Sequence, residues 1–336
     1  MTTTATEKYI HISPYFIIYL NAFISIFGLF GNLLNIIVFI NLRSFRRNPC
    51  VFYLMIDAIV NIGKNIVTHI SFILFIGFSI TANSNSFIWC KIKTMLINSF
   101  SLISMLITCF AALDQFFATS PHYYLRRRST LKLSYRVTIL SIFCAILFGI
   151  PIILYCDIYS TVGCIIRNSR FFFYYSYIHV LLLYGIFHSC ISSLFGFLAF
   201  RNVRCIIRQR IQIVRRRLDR QLTAMVLIRI IFSIILSLPY VIYCTYYLNV
   251  IDFIENSVQV ISIRIIGIIC SSLAVINTSA SFYIFLIFCT RYRHQVKFVL
   301  TKKLWKQLRK KICLRHNQIK PANEPSMNDY TTEAKF

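Results

Sequence analysis

The stretch PYFIIYLNAFISIFGLFGNLLNIIVFIN, residues 14–41, decides the fold. Its 28 residues include no Asp, Glu, Lys or Arg. A helix rises about 1.5 Å per residue, so about 20 apolar residues cross the roughly 30 Å hydrocarbon core of a bilayer. The rest of the chain has the same character, because 57% of its 336 residues are hydrophobic and 14% are charged. These features predict an integral membrane protein.

Six further apolar runs follow, separated by polar breaks. They are 51–78, 90–119, 134–156, 174–200, 222–248 and 260–289. In lipid, a chain satisfies its backbone polar groups within helices. The predicted fold is therefore an all-α membrane protein, a bundle of seven transmembrane helices over 14–289. The loops are short, and the sequence has no second domain and no internal repeat.

The basic residues predict the orientation of this bundle. With residues 1–13 outside, 28 of the 36 Lys and Arg residues fall in inner segments and five in outer segments. Positive charge concentrates on the cytoplasmic side of membrane proteins. We therefore expect an extracellular N-terminus, a cytoplasmic C-terminus and a position in the plasma membrane. Anionic lipid of the inner leaflet is the expected partner of the basic loops.

The net charge of +26 is compatible in principle with nucleic-acid binding. Nucleic-acid-binding proteins, however, cluster such charge on a soluble fold, whereas here basic clusters alternate with apolar spans. We expect no nucleic-acid partner. The seven histidines are scattered, and no zinc-ligand spacing or glycine-rich phosphate loop occurs. The sequence therefore predicts no metal, no cofactor and no enzyme activity.

Two further segments follow the last predicted span. In 290–314 basic residues recur among apolar ones, which is typical of an amphipathic helix lying in the inner membrane interface. Cys313 near its end is a candidate palmitoylation site, and a cytosolic thiol is the alternative. Residues 315–336 are polar and carry two prolines, so a disordered cytoplasmic tail is expected there.

Short motifs recur at matching places in the spans. The first span carries Gly31 followed by Asn32, and Cys90 opens the third span. The triplet of Asp114, Gln115 and Phe116 follows Cys90 by 24 to 26 residues; Pro239 lies in the sixth span and Tyr283 near the end of the seventh.

This pattern resembles the rhodopsin-like (class A) G-protein-coupled receptors. It is closest to an expanded orphan invertebrate branch, through Asn48-Pro49-Cys50 and Gly149-Ile150-Pro151. The resemblance implies a receptor that transmits an extracellular ligand signal to a heterotrimeric G protein. An outer ligand would favour a state in which the sixth span swings about Pro239 and opens an inner cleft, with Tyr283 stabilising that state.

The resemblance also implies a disulfide between the third span and the second outer loop. Cys164 lies in that predicted loop, where the oxidising exterior permits a bond to Cys90. Cys156, at the outer end of the fourth span, is the alternative partner for Cys90.

Two positions depart from the family pattern. The family has arginine at the centre of the triplet, where this chain has Gln115, which hydrogen-bonds but cannot pair ionically with Asp114. The family's sodium-binding aspartate falls at Asn61, with Asp57 one turn nearer the inner side. The neutral Gln115 leaves the strength of coupling open.

The second span carries its polar residues on one face. Asp57, Asn61 and Lys64 lie at helical steps, and with Asn32 they form a predicted core polar network. An intramembrane charge is costly unless it is paired. We hypothesise that the Lys64 ammonium replaces a bound cation and pairs toward Asp57 or carbonyl oxygens; a purely structural pair is the alternative.

The mouth of the predicted bundle indicates which ligands fit. Ile97 stands where amine receptors carry the aspartate that pairs with the ligand ammonium. A peptide, a lipid or a small odorant is therefore expected rather than an amine. Tyr240 and Tyr243 offer aromatic surface, and Arg264 meets an anionic ligand group or pairs locally with an acid.

Two other functions remain compatible with the sequence. Gln115 favours a receptor-like protein that no longer signals. The charged face of the second span favours a small-solute transporter, although the inverted repeats common in transporters are not visible.

Overall fold

The computed structural model describes residues 2–42, 48–77, 87–159, 163–166, 168–208, 213–250 and 257–304. In these ranges the regular structure is α-helical, apart from one two-stranded hairpin and two π-helical segments. The α-helices are α1 (Thr2–Asn41), α2 (Pro49–Gly77), α3 (Phe87–Thr119), α4 (Tyr123–Arg128), α5 (Leu131–Tyr155), α6 (Ser169–Phe173), α7 (His188–Arg208), α8 (Ile213–Val250), α9 (Ser257–Ser279), α10 (Ser281–Phe288) and α11 (Thr290–Lys297). The hairpin strands are β1 (Cys156–Tyr159) and β2 (Gly163–Ile166), and the π-helical segments are Tyr174–Phe187 and Phe298–Leu304.

Local chemistry explains where some of these helices begin. At the start of α2 the Asn48 side chain accepts a hydrogen bond from the Cys50 amide at 2.9 Å, and Pro49 is the first helical residue. Proline fits there because its missing N–H would have no helical partner. At the start of α6 Asn168 caps in the same way, accepting from the Phe171 amide at 3.0 Å.

Within the described ranges, six helices are long and apolar enough to cross a membrane. They are Tyr19–Asn41 of α1, Pro49–Ser71 of α2, α3, α5, the run Ser169–Cys205 from α6 through the π segment into α7, and Arg220–Tyr247 of α8. Ile265–Ser279 and α10 meet the same criterion as a pair, bent by 65° at Ala280. The prediction of an all-α, multi-pass membrane bundle is confirmed at this level.

The outer surface of the described bundle is apolar and its interior contains many polar side chains. Large hydrophobic residues are exposed along α1 and α5, among them Phe23, Phe30, Ile139 and Phe143. Buried polar residues include Asn32. Water-soluble proteins have the reverse distribution, with polar side chains outside and apolar ones inside. An apolar outer surface is expected when that surface faces lipid.

Helix α3 occupies the centre of the bundle. It contacts α2, α5, α7 and α8, while α1 packs against α2, α9 and α10, and α8 packs against α7 and α9.

The chain divides into two compact units, residues 1–293 and 294–336. The bundle belongs to the first unit. In the second, the described residues 294–304 are helical, and Val296 and Val299 are buried while His294, Lys297 and Phe298 are exposed. The amphipathic character of 290–314 stays a prediction; residues 305–314, with Cys313, and the predicted tail 315–336 lie outside the described residues.

Candidate functional site at the bundle centre

A buried ion pair lies at the centre of the bundle. The Arg229 Nε atom of α8 is 3.2 Å from Asp57 Oδ2 of α2, and the two side chains are 2% and 5% exposed. The Ser104 hydroxyl of α3 donates to the other carboxylate oxygen of Asp57. Both oxygens of this carboxylate are therefore engaged, which is what a buried charge needs if its desolvation is to be offset.

The guanidinium of Arg229 also reaches a fourth helix. Its Nη1 atom donates to the Asn277 side-chain oxygen at 2.6 Å and to the Asn277 backbone oxygen at 3.2 Å, both in α9. The planar, multi-donor guanidinium suits such a junction. One side chain thus links α8 to α2 and α9, and Ser104 adds α3 to the same network.

A second layer of polar contacts lies beside this junction. Ser233 Oγ of α8 is 3.3 Å from His188 Nε2 of α7 and 3.4 Å from Asn277 Nδ2. On its other side His188 Nδ1 lies 3.5 Å from the Cys109 sulfur of α3. This layer couples α7 to the same helices that Arg229 joins.

The predicted pairing of Asp57 with Lys64 is replaced by the pairing with Arg229. Lys64 instead lines a cavity of about 100 Å³ next to the network. The cavity wall also includes Ser104, His188, Ser233 and Asn277. In the described part of the chain, the Lys64 ammonium has neither a hydrogen-bond acceptor nor a carboxylate within salt-bridge distance.

Tyr240, one of the residues predicted for the ligand pocket, also lines this cavity. Ile97 is half-buried on α3 and is not part of the cavity wall, and Tyr243 stacks on Tyr247 with ring centroids 5.7 Å apart. Of the three described residues predicted for the ligand pocket, Tyr240 is the one that lines this cavity. The side chain of Arg264 lies outside the described residues, so its predicted roles are not addressed.

A hydrogen bond joins α3 to α8 near the predicted inner end of the bundle. Gln115 Nε2 donates to Thr223 Oγ1 over 2.7 Å, and both side chains are buried. The neighbouring Asp114 is buried and near Ser129, but its Oδ2 atom has no hydrogen-bond partner among the described residues. Phe116 packs its ring against Phe195 of α7, with centroids 5.6 Å apart.

A chain of hydrogen bonds runs along the contact between α1 and the α9–α10 pair. Asn32 donates to the Thr278 carbonyl at 3.0 Å and accepts from the Ser281 hydroxyl at 3.0 Å. Asn35 donates to the same hydroxyl at 3.2 Å and accepts from the Tyr292 hydroxyl at 2.5 Å. Burial raises the pKa of Tyr292 above its usual value, so this phenol stays protonated and remains a donor.

Asn61, the fourth member of the predicted polar network, is fully buried on α2. Neither its amide nitrogen nor its amide oxygen has a hydrogen-bond partner within the described ranges. The structure thus separates the predicted network into the Asn32 chain, the Asp57 ion pair, the cavity-lining Lys64 and Asn61.

Pro239 and Tyr283 occupy different environments. Pro239 lies inside the continuous helix α8, between the Arg229 junction and the end of the helix. The Tyr283 hydroxyl donates to the Phe27 carbonyl of α1 at 3.0 Å, so this tyrosine contacts α1 in the structure described here.

At the opposite end of α3, Cys90 forms a disulfide. Cys156 keeps its thiol, whose pKa is raised by burial, and so is not the partner. Cys164 lies in β2, opposite Ile158 of β1, but its side chain is outside the described part of the structure. The pairing of Cys90 with Cys164 stays a prediction.

The sequence reasoning missed the partner of Asp57. Arg229 was visible as a charged residue inside an apolar span, which is a signal of function or pairing. Ser104, Thr223 and Asn277 carry no comparable signal, because small polar residues are common in membrane helices.

Comparison with models of known protein families finds no match to this chain, and comparison with curated proteins finds no significant relative.

Proposed function

We propose that this protein is a seven-span receptor that transmits binding of an extracellular ligand to a heterotrimeric G protein. In this proposal the bent pair of α9 and α10 forms the seventh span, and the protein lies in the plasma membrane with its N-terminus outside. The resemblance of the motifs to rhodopsin-like receptors motivates the proposal. The observation that carries it is the hydrogen bond between Gln115 and Thr223.

That hydrogen bond supports the proposal because of where it lies. In the proposed mechanism, the inner end of α8 moves away from α3 to admit the G protein. A contact between the two helices at this end stabilises the closed state, and its rupture accompanies opening. Gln115 thus stabilises the closed state through a hydrogen bond from its neutral amide, without an ion pair.

The buried network at the bundle centre supplies a route from the cavity to this contact. Ser233, His188 and Asn277 line the cavity and belong to the same hydrogen-bonded cluster as Arg229. Arg229 lies six residues from Thr223 on α8. A ligand that changes the contacts at the cavity would therefore bias the position of α8.

The first test is G-protein activation in cells that express the full chain. Native protein, Gln115→Arg and the lipid-facing control Ile139→Ala are brought to equal surface level and assayed against a panel of G-protein classes. We expect a basal signal in at least one class from native protein and the control, and a changed signal from Gln115→Arg. Silence of all three at matched surface level would argue against the receptor proposal and favour the non-signalling or transporter functions.

A further inference from the structure

The centre of the bundle holds more basic groups than acidic ones. Arg229 pairs with the carboxylate of Asp57 at 3.2 Å, whereas Lys64 has no carboxylate within salt-bridge distance among the described residues. The second oxygen of Asp57 accepts from Ser104. Both oxygens of this carboxylate are therefore engaged by other residues, so Asp57 is not a paired counter-ion of Lys64 in the described part of the chain.

The cavity beside Lys64 has the same imbalance. The described residues that line it include Lys64 and His188 but no Asp or Glu. Its other polar groups are mainly hydroxyls: Ser101, Thr108, Tyr184, Ser237, Tyr240 and Thr278. Four of these hydroxyls, those of Thr108, Tyr184, Ser237 and Thr278, already donate to backbone carbonyls, so the positive charge of the wall comes from the Lys64 ammonium. An ammonium with no carboxylate among the described residues of the wall attracts a negative charge.

The size of the cavity restricts what it can hold. A water molecule needs roughly 10–15 Å³ of such space, so a cavity of about 100 Å³ admits a small ion with a few waters, or a small carboxylate. A bound sodium ion is disfavoured there, because it would lie close to Lys64, and like charges repel strongly in a medium of low dielectric constant. A half-buried ammonium inside a membrane helix, without a counter-ion, is also costly.

We propose that this cavity binds one compact monovalent anion, a halide or the carboxylate of a small organic acid, as the counter-ion of Lys64. The anion would bind next to Asn277, Ser233 and His188, the polar groups that connect the cavity to the Arg229 junction. Anion binding by the bundle does not require coupling to a G protein, so this inference is tested separately from the proposed function.

The test measures the unfolding temperature of the purified full chain in detergent micelles. Chloride is titrated against gluconate, which is too large for the cavity, at constant ionic strength. The proteins compared are the native chain, Lys64→Met, Lys64→Gln and the control Lys132→Met, which removes an exposed lysine of α5. Formate, acetate and butyrate are titrated in the same way, and sodium is exchanged for potassium in a parallel series.

We expect chloride to raise the unfolding temperature of the native chain and of Lys132→Met along a saturating curve, as binding to the folded state alone requires. Both Lys64 variants should weaken the apparent affinity by about tenfold or more, since one charge-assisted contact is worth about 1.4 kcal/mol or more. Exchange of sodium for potassium should change nothing. A response to chloride and formate that fades with longer acids identifies a free small-anion site. An affinity that rises with acid length shows that the cavity binds the carboxylate group of a larger ligand.

Two results would overturn the inference. One is an unfolding temperature of the native chain that is the same in chloride, formate, acetate and gluconate, which would mean that water alone fills the cavity. The other is a saturating response that is equally strong in native protein and in whichever Lys64 variant folds. Because the first result needs native protein alone, misfolding of both Lys64 variants does not prevent the test.

Discussion

Arg229 is the residue on which four helices of the bundle converge. It is 2% exposed, and its guanidinium contacts Asp57 and Asn277, while Ser104 completes the carboxylate's shell. Removal of one partner from a buried pair leaves an uncompensated charge, which costs about 3–5 kcal/mol, whereas replacement of both is far better tolerated. The pair therefore fixes the arrangement of these helices more than it adds to stability.

This asymmetry gives a prediction for three variants. Arg229→Met and Asp57→Asn should each lower the free energy of unfolding by about 3–5 kcal/mol. The double variant should be more stable than either single one, because it leaves neither charge alone. Reversible unfolding of the purified chain in mixed micelles measures all three values.

Arg220→Met is the matched control for these variants, since Arg220 is an exposed arginine on the same helix. Its effect should stay within about 0.5 kcal/mol. Strictly additive losses in the double variant would show that Asp57 and Arg229 do not act as a pair.

The residues of this site were predictable to different degrees. The helical spacing of Asp57, Asn61 and Lys64 places them on one face of α2, and the cost of a lone charge in lipid requires a partner for Asp57. The identity of that partner was not predictable, because Arg229 lies 172 residues away. Two basic side chains compete for one carboxylate, and the outcome depends on the packing of α8 against α2 and α9.

At the level of the helices, the contact between Gln115 and Thr223 joins α3 to α8. Thr223→Val keeps the shape of the side chain and removes the hydroxyl that accepts the hydrogen bond. The loss of a neutral hydrogen bond costs about 0.5–1.5 kcal/mol, or about two- to tenfold in a two-state equilibrium. We expect basal signalling to rise by that factor, and spin labels at the inner ends of α3 and α8 to report a larger share of the open distance.

Thr138→Val provides the control for this measurement. Thr138 is a buried threonine of α5 whose hydroxyl has no hydrogen-bond partner among the described residues. It should leave both the signal and the distance distribution unchanged. An unchanged distance distribution in Thr223→Val would show that this hydrogen bond does not hold α8 closed.

A close approach between α1 and α9 depends on Gly28. A Cβ atom at this position would lie 2.2 Å from Ser279 Oγ and 2.8 Å from Asn65 Nδ2. Gly28→Ala should therefore force the two helices apart and destabilise the bundle by about 1–3 kcal/mol, the usual cost of overpacking. Thermal unfolding of the purified chain measures this loss. The nearby control Phe30→Ala, at an exposed position, should have little effect in that assay. Equal stability of Gly28→Ala and native protein would mean that the helices adjust to the added methyl group without loss of stability.

The helices themselves were largely predictable, and their irregularities were not. Each predicted apolar run corresponds to a helix or a helical pair of the structure, with ends that differ by up to twelve residues, as at α1, which begins at Thr2. No proline lies at Ala280, so the sequence does not predict the break there. The Asn32 side chain of α1 donates to the Thr278 carbonyl, which in a regular helix accepts from the backbone amide four residues later. A side chain that inserts into the backbone hydrogen-bond ladder in this way is a known cause of helix kinks. The π segment Tyr174–Phe187 and the β1–β2 hairpin likewise had no recognised sequence signal.

The described bundle has an apolar exterior, and the sequence has a strongly asymmetric charge distribution. Of the 36 Lys and Arg residues, 28 lie in the segments predicted to be inside. Basic segments stay on the cytoplasmic side during insertion and are attracted to the anionic lipids of that face. Both effects act in the same direction, so one orientation is strongly favoured over its inverse.

We therefore predict that an epitope tag before Thr2 labels on intact cells, whereas tags after Phe336 or between α7 and α8 label only after permeabilisation. Removing the charge of one inner loop, through Arg126→Gln, Arg127→Gln and Arg128→Gln together, should leave this pattern intact, because most basic residues remain. Labelling of the C-terminal tag on intact cells would show that the orientation is the reverse of the predicted one. It would also place Gln115 and Thr223 on the outer side, where no G protein could reach them, so this measurement tests the receptor proposal independently of any signal.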